Sequence, residues 1–181
     1  MSNIRRVNLY SGPCNCKSTL AAHLFSRLKI QHQNVELVRE FVKEWAYLKI
    51  KIESFDQLFI FANQIRQEDL VLRNGVDFII TDCPVMLGIA YCKHYGLHGW
   101  QGLEIIERDF EKKYPSLNIF LKRSPDIPYK EFGRFQKKEE ALKVDCLIHK
   151  LLKETKREYF EFFPNQFEDI MACIDKHLQA K

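Results

Sequence analysis

Ser11-Gly12-Pro13-Cys14-Asn15-Cys16-Lys17-Ser18-Thr19 is the stretch on which the reading of the chain turns. Before it, Arg6–Tyr10 reads as a short strand. After it, Lys17–Ile30 places Leu20, Leu24 and Leu28 on one face of a helix. A loop between strand and helix aims backbone N–H groups and the positive end of a helix dipole at one point, where a phosphate binds. In the pattern G-x-x-x-x-G-K-[ST], the lysine reaches the β- and γ-phosphates and the hydroxyl ligates Mg²⁺, roles that fall here on Lys17 and Ser18. The glycines of that pattern fall on Ser11 and Cys16, and only Gly12 remains. Glycine serves such loops because φ must turn positive and the backbone must approach phosphate closely. A left-handed non-glycine residue costs about 1–2 kcal/mol, which a fold can absorb; a side chain standing in the γ-phosphate position it cannot. Gly12, Pro13, Cys14, Asn15, Cys16, Lys17, Ser18 and Thr19 are the candidate phosphate-binding residues. The plainer alternative is a strand-to-helix turn that happens to carry Lys-Ser-Thr.

Working outward, short apolar runs alternate with helical stretches, the mark of an α/β fold with a parallel sheet. Strands are expected at 34–38, 76–81, 117–121 and 158–162. Helices are expected at 41–50, 54–73, 103–113, 137–156 and 167–178. The helix from Ser54 opens with Ser54-Phe55-Asp56-Gln57, where Gln57 is placed to return a capping-box bond. The order predicts a three-layer sandwich with ligands at the carboxyl ends of about five mainly parallel strands. Ser124–Phe135, holding Pro125, Pro128 and Gly133, is a loop in which Tyr129 and Phe132 either cover the site or merely pack.

At 181 residues the chain suits one domain with a buried core. No apolar run approaches the roughly 18–20 residues needed to span a bilayer, and no apolar stretch follows Arg5-Arg6 to make a signal peptide. A cytoplasmic protein that engages no membrane is expected. A net charge of +4 suits an anionic ligand without requiring nucleic acid. The six cysteines lack zinc-ribbon or CxxC spacing.

Asp82 ends the strand Phe78-Ile79-Ile80-Thr81, where a carboxylate holds the water shell of Mg²⁺ or orients the attacking group; its alternative is a helix N-cap. Glu40, just past the second strand, is placed to take a proton from an acceptor hydroxyl, with Glu44 as competitor and a solvated helix-start acid as the plain reading. Lys122, Arg123 and Arg134 lie in or beside the Pro/Gly-containing loop, where cations close over a triphosphate or simply face solvent. Gln64 either hydrogen-bonds an acceptor base or is a surface glutamine. If the third strand lies beside the first, Cys14, Cys16 and Cys83 face the phosphate site together. Oxidation or a soft metal would then shut it, against the plainer reading of three neutral packed thiols.

Together these residues resemble the P-loop kinases of bacteriophages, related to thymidylate and deoxynucleoside kinases and to the ribosylnicotinamide kinase module. The resemblance runs from about Val7 to Leu152. It rests on Asn8-Leu9-Tyr10 entering the loop, Asn34-Val35-Glu36-Leu37-Val38-Arg39-Glu40, Asp56-Gln57-Leu58, Gln64, Asp77 to Pro84, Leu87-Gly88, Pro128-Tyr129, Gly133-Arg134-Phe135-Gln136 and Asp145. It implies a single P-loop NTPase domain over 1–181 with a lid at about 122–137. It also implies ATP as donor with Mg²⁺, Lys17 and Ser18 on the phosphates, Asp82 near the metal, and Arg123 and Arg134 as lid cations. The acceptor is expected to be a nucleoside-like small molecule or a modified base in DNA, 5-hydroxymethyluracil among them; a base in duplex DNA must first be flipped out. Members of this group usually carry glycine where this chain has Ser11, Cys14 and Cys16. A degenerate nucleotide-binding protein without turnover is therefore the rival expectation. Monomer and homodimer are both compatible with the sequence.

Overall fold

Alternation along Arg6–Tyr10 divides the molecule into two helical layers. Val7 and Leu9 point to one side, packing with Leu20, Leu24, Ile170 and Ile174; Tyr10 points to the other, with Phe61, Val144 and Ile148. The structure, a computed structural model, describes residues 4–125, 127–130 and 136–179. Its strands are β1 (Arg6–Tyr10), β2 (Val35–Val38), β3 (Phe78–Thr81), β4 (Ser116–Leu121) and β5 (Tyr159–Phe162). They form one sheet in the order β2-β3-β1-β4-β5, with every pairing parallel and Asn8 flanked by Thr81 and Asn118. Parallel strands covered on both faces read as apolar runs, as Phe78-Ile79-Ile80-Thr81 does, buried at every position.

The helices are α1 (Lys17–Ile30), α2 (Lys43–Leu48), α3 (Asp56–Arg73), α4 (Met86–His94), α5 (Trp100–Lys113), α6 (Lys138–Glu154) and α7 (Phe167–Gln179). Buried residues of α1 and α7 cover one face of the sheet, and those of α3 to α6 the other. The expected α/β three-layer P-loop NTPase sandwich is thus the observed architecture. Adjacent to β1, the sequence order runs to β3 on one side and β4 on the other, so a crevice opens at the carboxyl end of β1, where the loop sits.

Three local expectations need correction. α4 was not foreseen, because Met86, Leu87, Gly88, Ile89, Ala90 and Cys92 are all buried; a helix enclosed on nearly every side has no polar face and so no 3.6-residue signature. α2 is shorter than 41–50, stopped by Lys49 in the left-handed region at φ 55. The capping box at Ser54 does not form: Ser54 has φ 49, α3 begins at Asp56, and Gln57 turns inward to a 3% exposed position.

At the amino end of β1, Arg6 is buried and bonds the Tyr114 carbonyl (2.8 Å), Glu68 (3.4 Å) and Glu111. Arg157 bridges Glu107 and Glu111. Such buried pairs do not by themselves imply net stabilisation, because desolvation opposes the attraction. They do explain how Glu68 and Glu107 can sit inside the protein. No described helix is long and apolar enough to cross a membrane.

Candidate functional site

The loop from Ser11 to Cys16 leaves β1 with two residues in the left-handed region, Cys14 at φ 56 and Cys16 at φ 58. Right- and left-handed residues in succession turn neighbouring N–H groups toward one side, the geometry of an anion-binding nest. Cys16 is the N-cap of α1 and makes no side-chain cap. Among the described residues, the N–H groups of Cys14 through Thr19 have no hydrogen-bond acceptor. That set of open donors at a helix N-terminus fits a chain of phosphates. The loop adopts the glycine-type backbone while carrying two thiol side chains, as the cost argument allowed.

Gly12 is held for a different reason. A Cβ there would lie 2.6 Å from the Ala141 carbonyl oxygen and 2.9 Å from Asp145 Oδ1 on α6. Its N–H donates to Asp145 Oδ1 at 2.5 Å. Arg123 completes this clamp: Nε donates to Asp145 Oδ2 (2.7 Å), and its terminal nitrogens donate to the Cys14 (3.2 Å) and Pro13 (3.0 Å) carbonyls. Arg123, expected among the lid cations, is thus tied to the outside of the loop. Gly12 likewise does not line the cavity. Arg134, with Phe132 and Gly133, lies outside the described residues.

One cavity joins the loop to the space under α2, α3 and α4. Pro13, Cys14, Asn15, Cys16, Lys17, Ser18 and Thr19 line one end. Glu40, Asp82 and Cys83 stand at the junction, and Ile60, Phe61, Gln57, Gln64 and Tyr91 form the far wall. Lys17 Nζ donates to the Ser11 (2.8 Å) and Gly12 (2.9 Å) carbonyls. Burial pushes the Lys17 pKa down, while Glu40 and Asp82 pull it back up. Asp82 does not cap α4; its Oδ1 accepts the Glu40 N–H at 3.0 Å. Next along, the Phe41 N–H donates to Gln64 Oε1 at 3.2 Å, and Gln64 Nε2 donates to Glu68 at 3.3 Å. Asp82 and Gln64 therefore fix the backbone that carries Glu40. Desolvation pushes Glu68 up to about 7, against the opposing pull of Arg6 and the Gln64 bond.

Cys14, Cys16 and Cys83 do line one cavity, as the strand order required. The soft-metal expectation finds no cluster among the described residues, and the reactive-thiol expectation finds no support at Cys83. Among the described residues, no group of three or more His, Cys, Asp or Glu is placed to hold a metal ion. Burial, reinforced by Glu40 and Asp82, raises the Cys83 thiol well above its ordinary pKa, away from the reactive thiolate. Cys14 Sγ instead accepts the Lys130 N–H at 3.1 Å, joining the loop to residues 128–130. For Mg²⁺, Ser18 and Asp82 both face the cavity; one carboxylate, one hydroxyl and phosphate oxygens suit an ion that takes few protein ligands.

Missed by the sequence reading were Gln57, Phe61 and Tyr91 as cavity walls. Residues 57, 60, 61, 64 and 68 share one helical stripe, a spacing that could have shown the first two; nothing in the sequence exposed Tyr91, since α4 was not recognised.

No curated protein matches the sequence. Among solved structures, deoxyadenosine kinase from M. mycoides with dCMP and dCDP bound is similar at a TM-score of 0.63 and 16% identity, over 94% of this chain and 99% of that one. NadR in complex with NR is similar at a TM-score of 0.74 and 14% identity, over 98% of this chain. NadR with NAD and AMP-PNP gives a TM-score of 0.64 at 14% identity. The chain spans 52% and 50% of the NadR chains, about half their length. At such identities these likenesses concern the fold. Residues 6–169 match the family model AAA_28, described as an AAA domain, and the chain belongs to that family.

Proposed function

We propose that the chain is an ATP-dependent phosphotransferase acting on a hydroxyl of a nucleoside-like acceptor. The observation that carries this reading is the single cavity, with open loop N–H groups at one end, an apolar wall at the other and two carboxylates at the junction. Triphosphate lies along Cys14 to Thr19, and Lys17 turns from the Ser11 and Gly12 carbonyls to the phosphate oxygens. Ser18 and Asp82 are the residues that would hold Mg²⁺, and the ion would supply neutralisation of charge on the transferred group. Glu40 accepts the proton of the acceptor hydroxyl as its oxygen bonds to the γ-phosphorus and ADP leaves. Arg123 and Asp145 keep the loop in shape, and Arg134 is assigned to closing over the donor. The deoxyadenosine kinase and NadR likenesses support a nucleoside-like acceptor; the resemblance to phage kinases extends it to 5-hydroxymethyluracil in DNA.

The replacement of loop glycines by Cys14 and Cys16 favours one rival, nucleotide binding without turnover. A turnover assay separates them. ATP–Mg²⁺ is supplied with thymidine, deoxycytidine, deoxyadenosine, ribosylnicotinamide or a 5-hydroxymethyluracil oligonucleotide. Phosphorylation of one acceptor, reduced at least about 100-fold in Glu40→Gln, supports transfer. ATP bound with none of them phosphorylated supports the rival.

A further inference from the structure

The buried stripe of α3 is Gln57, Ile60, Phe61, Gln64, Glu68 and Leu72. Two of its three polar members are committed to the protein. Glu68 pairs with Arg6 and accepts from Gln64. Gln64 is engaged at both ends of its amide, its oxygen toward the Phe41 N–H and its nitrogen toward Glu68, so its orientation is fixed. Gln57 is not committed. It is 3% exposed and lines the cavity, and among the described residues its amide has no hydrogen-bond partner. Its amide opens on the cavity rather than being sealed in the core; among the described residues the sealed side-chain atoms without a partner are Asn8 Oδ1 and Asn15 Oδ1.

Gly88 on α4 packs closely against this part of α3. A Cβ on Gly88 would come within 2.8 Å of the Phe61 ring and 3.5 Å of Gln57 Nε2, so the missing side chain keeps both in place. Ile60, Phe61 and Val42 supply apolar wall beside the amide. A primary amide presents a donor and an acceptor side by side, and pairs with an edge that presents the complement.

We infer that Gln57, rather than Gln64, is the specificity-determining residue on the acceptor side, reading a planar heterocycle or carboxamide through an adjacent donor and acceptor. Gln64 is a positioning residue that holds the Glu40–Phe41 backbone. This inference rests on the phosphotransfer reading for the identity of that side of the cavity. A site built around a hydrogen bond discriminates strongly against an analogue that lacks it, because its own polar group is then left unpaired.

The test uses the full chain and calorimetric binding of thymidine, deoxycytidine, deoxyadenosine and ribosylnicotinamide. The comparator is difluorotoluene deoxyriboside, which keeps sugar hydroxyls and a flat ring but has no such edge. At least one of the four is expected to bind about tenfold tighter than the comparator, or about 1.4 kcal/mol. Gln57→Leu brings that preference to within about twofold, and Gln57→Glu, which replaces the amide donor with a charged acceptor, reduces it. Gln64→Leu keeps the preference while lowering Tm. Melting curves on each variant separate lost recognition from lost folding. A preference unchanged in Gln57→Leu, or abolished by Gln64→Leu in a folded protein, overturns the assignment. If none of the four binds while ATP–Mg²⁺ does, the inference fails and phosphotransfer to another acceptor stands; if ATP–Mg²⁺ also fails to bind, the phosphotransfer reading itself falls.

Discussion

At the loop end of the cavity the open hydrogen-bond donors are backbone N–H groups, from Cys14 to Thr19, whereas at the α3 end the wall is made of side chains, Gln57, Ile60 and Phe61 among them. A backbone site depends on φ and ψ more than on side-chain identity, and Cys14 and Cys16 both hold left-handed positions. A side-chain site changes with every residue. Within the loop the same contrast recurs: Gly12 is constrained by what packs on it, and Cys16 by its own dihedrals.

The contrast breaks first at the clamp. Asp145→Ala removes the partner of Arg123 and of the Gly12 N–H, and should cost about 3 kcal/mol in denaturant unfolding with weaker ATP–Mg²⁺ binding. Gly12→Ala, which brings a methyl against the Ala141 carbonyl, should cost about 2 kcal/mol and also weaken ATP–Mg²⁺ binding. If Gly12→Ala is neutral in both, loop shape does not depend on the approach of α6.

Glu68 sharpens the comparison from the α3 side. Its carboxyl holds a proton to about pH 7 in the fold, against an ordinary value of 4.5. The unfolded chain releases that proton first, so stability should fall as pH rises from about 4.5 to 7 and the penalty is complete above it. Thermal unfolding followed across pH 5 to 8 should show Tm falling in the unsubstituted protein and a shallower fall in Glu68→Gln. Parallel profiles would remove Glu68 as the cause.

The smallest effect concerns the cysteines. Cys16→Gly relieves about 1–2 kcal/mol of left-handed strain and loosens the unfolded chain by up to about 1 kcal/mol. The net change in stability should stay within about 1 kcal/mol, with ATP–Mg²⁺ affinity retained. A large gain in affinity would mean the thiol obstructs the nest.

Much of this was legible in the sequence where a pattern is local. Lys17–Ile30 and Arg6–Tyr10 follow from leucine spacing and a short strand run, and Lys17, Ser18, Glu40 and Asp82 from their places at strand ends. The structure brings those four to one cavity. The misreadings occurred where several elements meet. α4 is enclosed by α3, α5 and α6, which erased its periodicity. Gln57 sits where a capping residue is expected, yet α3 begins only at Asp56 and carries Gln57 in its buried stripe. Arg123 looked like a lid cation because its commitment to Asp145 depends on a residue more than twenty positions later in the chain.

The central claim is that the cysteine-bearing loop still receives a triphosphate. Calorimetric titration of ATP–Mg²⁺ in reductant, on the unsubstituted protein, on Lys17→Ala and on Cys14→Gly/Cys16→Gly, tests it most directly. The account predicts saturable binding by the unsubstituted protein, weakened at least about tenfold by Lys17→Ala and little changed by the two glycines. No binding until the glycines are restored would contradict it.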